Sequence, residues 1–422
     1  FLFLLSTFQL IAQSHSVKRL GIEQGLSNNY VVSITQDKQG FLWFATEEGL
    51  NKFDGTRFTT YYKNDLTQDN QGITGNELNR VYADTKHPII WIATQRDGLN
   101  AYNYNEQTFT AYQHNPENPH SLITNDVTDI APSTQHDDGL WISTYYRGIE
   151  YLDITSGQFT HYNKSTVPSL PCDQTWTVLD GGDGNLYIGH VGSGFSIFSP
   201  KDKSVKNFRN EAGNPMSLPG NDVFCIIKDA NGNIWLGTNN GLALYDAANE
   251  NFITFKNNKN DKYATLCSRI LSIRQLKDNR LWIASELNGI AILNLKQSMF
   301  LSPEEISLEY IQEGADNRSL SNASARCIFQ DSFDNIWIGT WGGGINFISS
   351  KPPLFTTLSY SPIPNNENSL NNKVASSLCM DRQGRVWIGT DGGGINVFEG
   401  EKRIAIYKKE SGNIPSNFIL AS

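Results

Sequence analysis

Charge is sparse in this sequence, and what there is leans acidic. Asp, Glu, Lys and Arg make up 18% of the residues, and 43 acids against 34 Lys and Arg leave a formal charge of −9. The basic field that holds nucleic acid or an anionic membrane is therefore missing, which leaves room only for a local basic pocket. Cysteine is scarce too. The five residues Cys172, Cys225, Cys267, Cys327 and Cys379 are odd in number and widely dispersed. That excludes a disulfide framework and CxxC metal spacing, and leaves them as small buried hydrophobes. No HExxH or paired spacing joins the seven histidines. Gly342-Gly343-Gly344 and Gly392-Gly393-Gly394 lack the following Lys-Ser/Thr of a phosphate loop, and Asp229–Asn233 lacks the distal Glu of a calcium loop. No cofactor or metal is expected. The apolar run Phe1–Ala12 is too short to cross a bilayer as a helix. It reads as the remnant of a secretory signal over residues 1–16, so the chain is expected to be exported.

What the sequence does have is repetition. A strand, an Asp/Gly turn and a Trp-Ile-Gly-Thr-like phrase return eight times, anchored at Trp43, Trp91, Trp141, Tyr187, Trp235, Trp282, Trp337 and Trp387. The anchors are 48, 50, 46, 48, 47, 55 and 50 residues apart. A period of that size with several short strands is the scale of a propeller blade. In the fifth repeat the strands fall at Val223–Ile227 (a), Ile234–Thr238 (b), Leu242–Asp246 (c) and Phe252–Phe255 (d). The fold class is therefore all-β, a β-propeller of four-stranded blades.

Val17–Leu20 precedes the first strand a and stands where a strand d would. Pairing it with a later blade would close a ring and remove an open edge. Phe355–Leu358 holds the same place before the eighth repeat. The expectation is a seven-bladed propeller over residues 17–353, with residues 354–422 beginning a second, truncated one. The alternative is one eight-bladed ring, in which the Trp387 strand would lie between the blades of Trp337 and Trp43.

The a–b turns repeat one Asp/Gly chemistry, as scaffold does, whereas the b–c turns vary. Variable loops on a rigid frame are where binding is sought. The candidates are Tyr145, Tyr146 and Trp341 for stacking on sugar rings, Arg96 and Arg147 for pairing with a carboxylate or sulfate, and His190. The Asp-x-x-Gly-x-x-Trp spacing, as in Asp37–Trp43, resembles the Asp-box of sialidase-type propellers. A secreted enzyme acting on polysaccharide is thus one rival, and it would need convergent acids beyond the box. A protein-interaction propeller is another.

The run Gly25–Gly55 and the phrases Ser369–Val374 and Trp387–Asn396 resemble the two-component regulator propeller repeat, and the resemblance extends over residues 17–422. It implies the periplasmic, ligand-sensing part of a hybrid histidine kinase. Such a part usually holds two seven-bladed propellers, followed by a transmembrane helix anchored in the inner membrane and a cytoplasmic output, here expected to be a kinase rather than a diguanylate cyclase. An oligosaccharide signal regulating polysaccharide use and a homodimer are implied in the same way. No catalysis is expected in these residues themselves.

Overall fold

In the computed structural model the described residues are 16–63, 72–255, 264–295, 308–315, 318–351, 358–361 and 369–420. All but Ser16 of the signal remnant therefore lies outside them, as do residues 355–357 of the expected strand before the eighth repeat. Each repeat forms one four-stranded antiparallel sheet, eight sheets in all. In the fifth, strands a to d run Val223–Lys228, Ile234–Thr238, Gly241–Asp246 and Asn251–Thr254. Strand b is buried at every position there and in Ile336–Thr340. Neighbouring sheets cover both of its faces, which explains a continuous apolar run rather than alternation.

The seventh sheet takes its outer strand from the other end of the chain. Val17–Leu20 pairs antiparallel with Ile345–Ile348, Val17 opposite Ile348 and Leu20 opposite Ile345. The seventh blade then packs directly on the first: the Trp337 ring lies 5.8 Å from that of Phe44, and Cys327 Sγ points to the Val31 carbonyl at 3.8 Å. The ring closes at seven blades. The chain divides into two compact units, Phe1–Gly314 with Arg318–Ser350, and Ala315–Asn317 with Lys351–Ser422. The second unit contains the eighth blade, whose inner strand Ala375–Met380 leaves Leu378 69% exposed, where the matching Ile34 and Ile226 are buried.

A carboxylate organises the a–b turn of most blades. Asp229 Oδ1 accepts the Asn231 and Asn233 N–H groups, and its Oδ2 accepts the Trp235 indole N–H at 3.0 Å. Asp37 does the same for Trp43, Asp331 for Trp337 and Asp381 for Trp387. Held this way, the ring lies flat between blades, and burying it is worth about 4–6 kcal/mol of transfer free energy as an upper bound. The small residue two places on admits the next inner strand: a Cβ on Gly237 would meet Ile270 Cγ2 at 2.7 Å.

A second carbonyl-and-amide device ties blades into a ring. The glycine that opens strand c has positive φ, and its N–H donates to the link of the following blade: Gly49 to Asn76, Gly98 to Asn125, Gly148 to Asp173, Gly194 to Asn221 and Gly289 to Ala323. Gly344 donates to Asn29, completing the circle. Within blades, a buried strand-c side chain accepts a link N–H: Asn51 from Ser27, Asn100 from Thr74, Glu150 from Ile123 and Asn346 from Ser321. In blades four and five the link carries Pro171 and Pro219, which have no N–H to offer, and Ser196 and Ala243 stand in place of the acceptor.

His190 ends strand b of the fourth blade at the position held elsewhere by Thr46, Thr94, Thr144, Thr238 and Thr340. It is wholly buried, with Nε2 2.8 Å from Ser196 Oγ and Nδ1 3.5 Å from Cys172 Sγ. Burial lowers its pKa to about 4.

Two expectations test this framework. Asp229→Ala removes the acceptor for two turn amides and the buried Trp235 indole, and should cost about 2–4 kcal/mol in chemical denaturation; a loss below about 1 kcal/mol would mean the turn holds itself. For His190, a folded pKa below the unfolded value of about 6.5 means that stability is intact above that pH and falls as pH drops toward about 4. The loss should reach roughly 2–3 kcal/mol. His190→Thr should flatten the stability profile across that window; an unchanged profile would show that the imidazole is not held neutral.

Candidate functional site

The b–c turns and the links share one face. In every blade of the ring the first residue of the turn donates its N–H to the residue just before strand a: Glu47 to Tyr30, Gln95 to Glu77, Tyr145 to Asp126, Val191 to Gln174, Asn239 to Asp222, Glu286 to Arg269 and Trp341 to Ser324. The threonine ending strand b braces the same turn, as Thr144 Oγ1 does by donating to Gly148 O while accepting the Arg147 N–H. Turn side chains are thus set on a fixed backbone.

A third feature of this face is a bulge. Every inner strand of the ring breaks register once, at Val32, Asn79, Thr128, Trp176, Phe224, Leu271 and Arg326. A bulge leaves its extra residue outside the ladder and re-aims its side chain, a device common beside binding sites. Here these side chains meet the turn residues. Tyr146 and Tyr145 lie edge to face at 4.4 Å, Tyr145 and Trp176 at 6.1 Å, and Trp176 and Phe224 at 5.8 Å. The Arg269 guanidinium sits 4.3 Å over Phe224 and reaches Glu286 at 3.4 Å. Farther round, Arg326 lies 4.2 Å over Trp341, whose other contact is Tyr30 at 5.2 Å. Blades three to seven and the first therefore carry an arc of aromatic rings and arginines.

Charge along the arc is only partly balanced by direct pairing, Arg269 with Glu286. Burial lowers the Arg326 pKa, with Arg269 acting in the same sense and Glu286 and Glu47 acting against them. Arginine nevertheless stays protonated. Trp341 is 40% and Tyr146 53% exposed, so the arc offers ring faces to solvent while Trp176 and Phe224 lie half-buried behind them.

Of the residues singled out from sequence, Tyr145, Tyr146 and Trp341 lie on this arc. Arg96 and Arg147 are exposed in turns on the same face, without a contact to it among the described residues. His190 is corrected: it belongs to the core of the fourth blade, because the turn there begins one residue later, at Val191, and a wholly buried imidazole presents nothing to a ligand. Trp176, Phe224, Arg269 and Tyr30 were missed. Lining up the second position of strand a across the repeats would have found the first two, since that column varies most.

The opposite face carries a groove between blades three and four, lined by Trp141, Tyr151, Asp138, Asp153, Asp180 and Asp183. It arises where Ser133 replaces the turn Asp of blade three, and Asp180 of the next blade takes the Trp141 indole N–H at 3.2 Å. The Ser156 N–H holds Asp153 below the usual carboxylate range; burial would raise Asp183, but the Asn185 N–H and Tyr187 hydroxyl bring it below as well. A general acid needs the reverse shift. Among the described residues no cluster of His, Cys, Asp and Glu has the geometry to hold a metal ion.

Comparison with known proteins adds to this geometry. The family described as the two component regulator propeller matches residues 25–48, 217–240, 319–342 and 369–392. The extracellular domain of a hybrid two-component system from B. thetaiotaomicron is 63% identical, with a TM-score of 0.78 over 96% of this chain and 50% of that one. Another hybrid two-component extracellular domain from the same organism is 19% identical, with a TM-score of 0.61 over 96% of this chain and 49% of that one. Virginiamycin B lyase from Staphylococcus aureus, 14% identical with a TM-score of 0.57 over 80% of this chain and all of its own, shares the fold alone. A histidine kinase of Formosa agariphila is 55% identical over 40 residues, 10% of this chain and 3% of that protein. The chain spans about half the length of the two-component extracellular domains it matches. Four of its repeats match the two-component regulator propeller family, and its fold is similar to about half of the extracellular domain of a hybrid two-component system.

Proposed function

We propose that this chain is part of the periplasmic ligand-sensing region of a hybrid histidine kinase, and that it binds an oligosaccharide on the aromatic arc. The carrying observation is the run Tyr146–Tyr145–Trp176–Phe224, supplied by turns and bulges of three successive blades and ended by the Arg269 guanidinium. Sugar rings present C–H faces that stack on aromatic faces, and several rings side by side suit a ligand of more than one sugar unit. In this reading the arc selects the ligand, the full-length protein acts as an inner-membrane homodimer, and its kinase output governs polysaccharide use. The signal must bind one arrangement of the dimer better than the other to have any effect.

Calorimetric titration with a panel of oligosaccharides tests the site. One should give a saturable isotherm while its monosaccharides give none, and long incubation should yield no product. Trp176→Ala and Trp341→Ala should each weaken binding by about 3- to 10-fold, the loss expected for one aromatic contact. Full affinity in both variants would remove the arc as the site, and product formation would favour a polysaccharide-acting enzyme instead.

A further inference from the structure

The inner strands carry a charge bias opposite to that of the chain. Of their charged residues, Asp180 and Lys228 stand at the far ends and are committed, Asp180 to Thr134 and Trp141 and Lys228 to the Gly181 carbonyl at 2.7 Å. Those remaining are Arg80, Asp129, Arg274 and Arg326, three guanidiniums to one carboxylate in a chain of net charge −9.

Arg80 belongs to the second blade. Its Nε pairs with Asp129 of the third at 3.1 Å, and its charge is also felt by Cys225 in the fifth blade, Arg274 in the sixth and Cys327 in the seventh. Arg80 and Arg274 both stand on inner strands, which line the central axis of a propeller, and both are exposed there. Arg274 leans across Phe329 of the next inner strand, 5.8 Å from the ring centroid, and makes no hydrogen bond or ion pair with a described residue. It is crowded by protein and yet exposed, the condition of a side chain on the wall of a water-filled channel. Its partner carboxylate is missing: Asp129 is engaged by Arg80 and by the Thr177 hydroxyl at 2.7 Å. Arg326, at the bulge where the channel opens beside Trp341, likewise has no carboxylate or carbonyl partner among the described residues. Guanidiniums keep their protons, so the repulsion between Arg80 and Arg274 persists until an anion offsets it.

We propose that the central channel of the seven-bladed ring is an anion site, in which Arg274 and Arg80, with Arg326 at the mouth, take an oxyanion group of sulfate or carboxylate type. The group arrives either as a free ion or as the acidic substituent of a sugar; the second route rests on the oligosaccharide reading above. The planar fork of arginine suits such a group because two N–H bonds meet two oxygens.

Sulfate stabilises proteins generally by exclusion from their surface, so the informative quantity is a difference between variants. The melting temperature of the whole chain is followed with sodium sulfate against sodium chloride at matched ionic strength, for wild type and for Arg274→Gln, which keeps the stem and leaves the Arg80–Asp129 pair intact. Wild type should gain several degrees more from sulfate than Arg274→Gln does. In chloride of low ionic strength Arg274→Gln should melt no lower than wild type, because a repulsion has been removed. Equal sulfate responses would overturn the site. In a second arm a sulfated oligosaccharide is compared with its desulfated form. Tenfold or greater preference in wild type, lost in Arg274→Gln/Arg326→Gln, assigns the site to the sugar's substituent. A sulfate difference with no glycan binding assigns it to the free ion and defeats the oligosaccharide reading alone. Glycan binding indifferent to sulfation, with equal ion responses, defeats the channel site alone.

Discussion

The bond from one carboxylate oxygen to one indole N–H is the contact on which the ring depends. A tryptophan is wide enough to set the spacing between two sheets, but its N–H must be satisfied if it is to be buried. The turn aspartate satisfies it while spending its other oxygen on the amides of its own turn. One side chain thereby fixes the turn, the orientation of the ring and the separation of the blades. In blades three and four, where the aspartate is missing, the chain compensates nearby. Blade three borrows Asp180 from its neighbour, and blade four replaces the indole by Tyr187, whose hydroxyl donates to Asp183 at 3.0 Å. The Asp84–Trp91 pair shows the balance of forces: burial would raise the carboxyl pKa, yet the His87 and Lys86 amides and the indole hold it below the ordinary value.

With one end of each blade given to this bond, the other end is free to vary. In most blades the b–c turn needs only a hydroxyl at the end of strand b, a glycine of positive φ and one amide bonded to the residue before strand a. Few side chains of the turn take part in that frame, Asn239 and Asn240 being exceptions that bond Asp222 and Pro219. Most bulge residues, which the ladder has released, take none either, though Asn79 and Thr128 bond the next inner strand. Tyrosine, tryptophan and arginine can accumulate there without penalty to the scaffold, as Tyr145, Tyr146 and Arg147 do in blade three, Trp176 in blade four and Arg326 and Trp341 in blade seven.

The period, the strand order and the closing strand were legible from sequence because each rests on local chemistry repeated many times. Trp337 and Trp43 announce equivalent blades, and Val17–Leu20 reads as an unpaired outer strand from its place ahead of the first strand a. His190 was misread for the complementary reason. It replaces a threonine that carries a turn hydrogen bond, and in a degenerate repeat the strand end and the turn cannot be told apart by spacing alone. The bulge escaped notice because a one-residue register change leaves no mark in composition: Val31-Val32-Ser33 and Thr175-Trp176-Thr177 look like uninterrupted strand. Arg80 and Arg274 belong to inner strands of blades two and six, and sequence spacing carries no information about which residues face one another across a ring.

Closure also limits how a signal can leave this domain. Six of the seven blades are hydrogen-bonded through the glycine that opens strand c to the link of the next, the seventh to the link of the first, so a turn in those blades cannot swing without breaking a bond in two of them. A ligand seated on such a face meets, among the described residues, turns already bonded in place. Its free energy therefore goes into stacking and pairing on a preformed surface, at low entropic cost. Any response must come from displacement of the ring as one body, or from contacts that the bound ligand itself makes beyond the ring. A rigid propeller is in this respect a platform whose chemistry is written in seven variable turns and seven bulge positions, and whose motion is decided by what it is attached to.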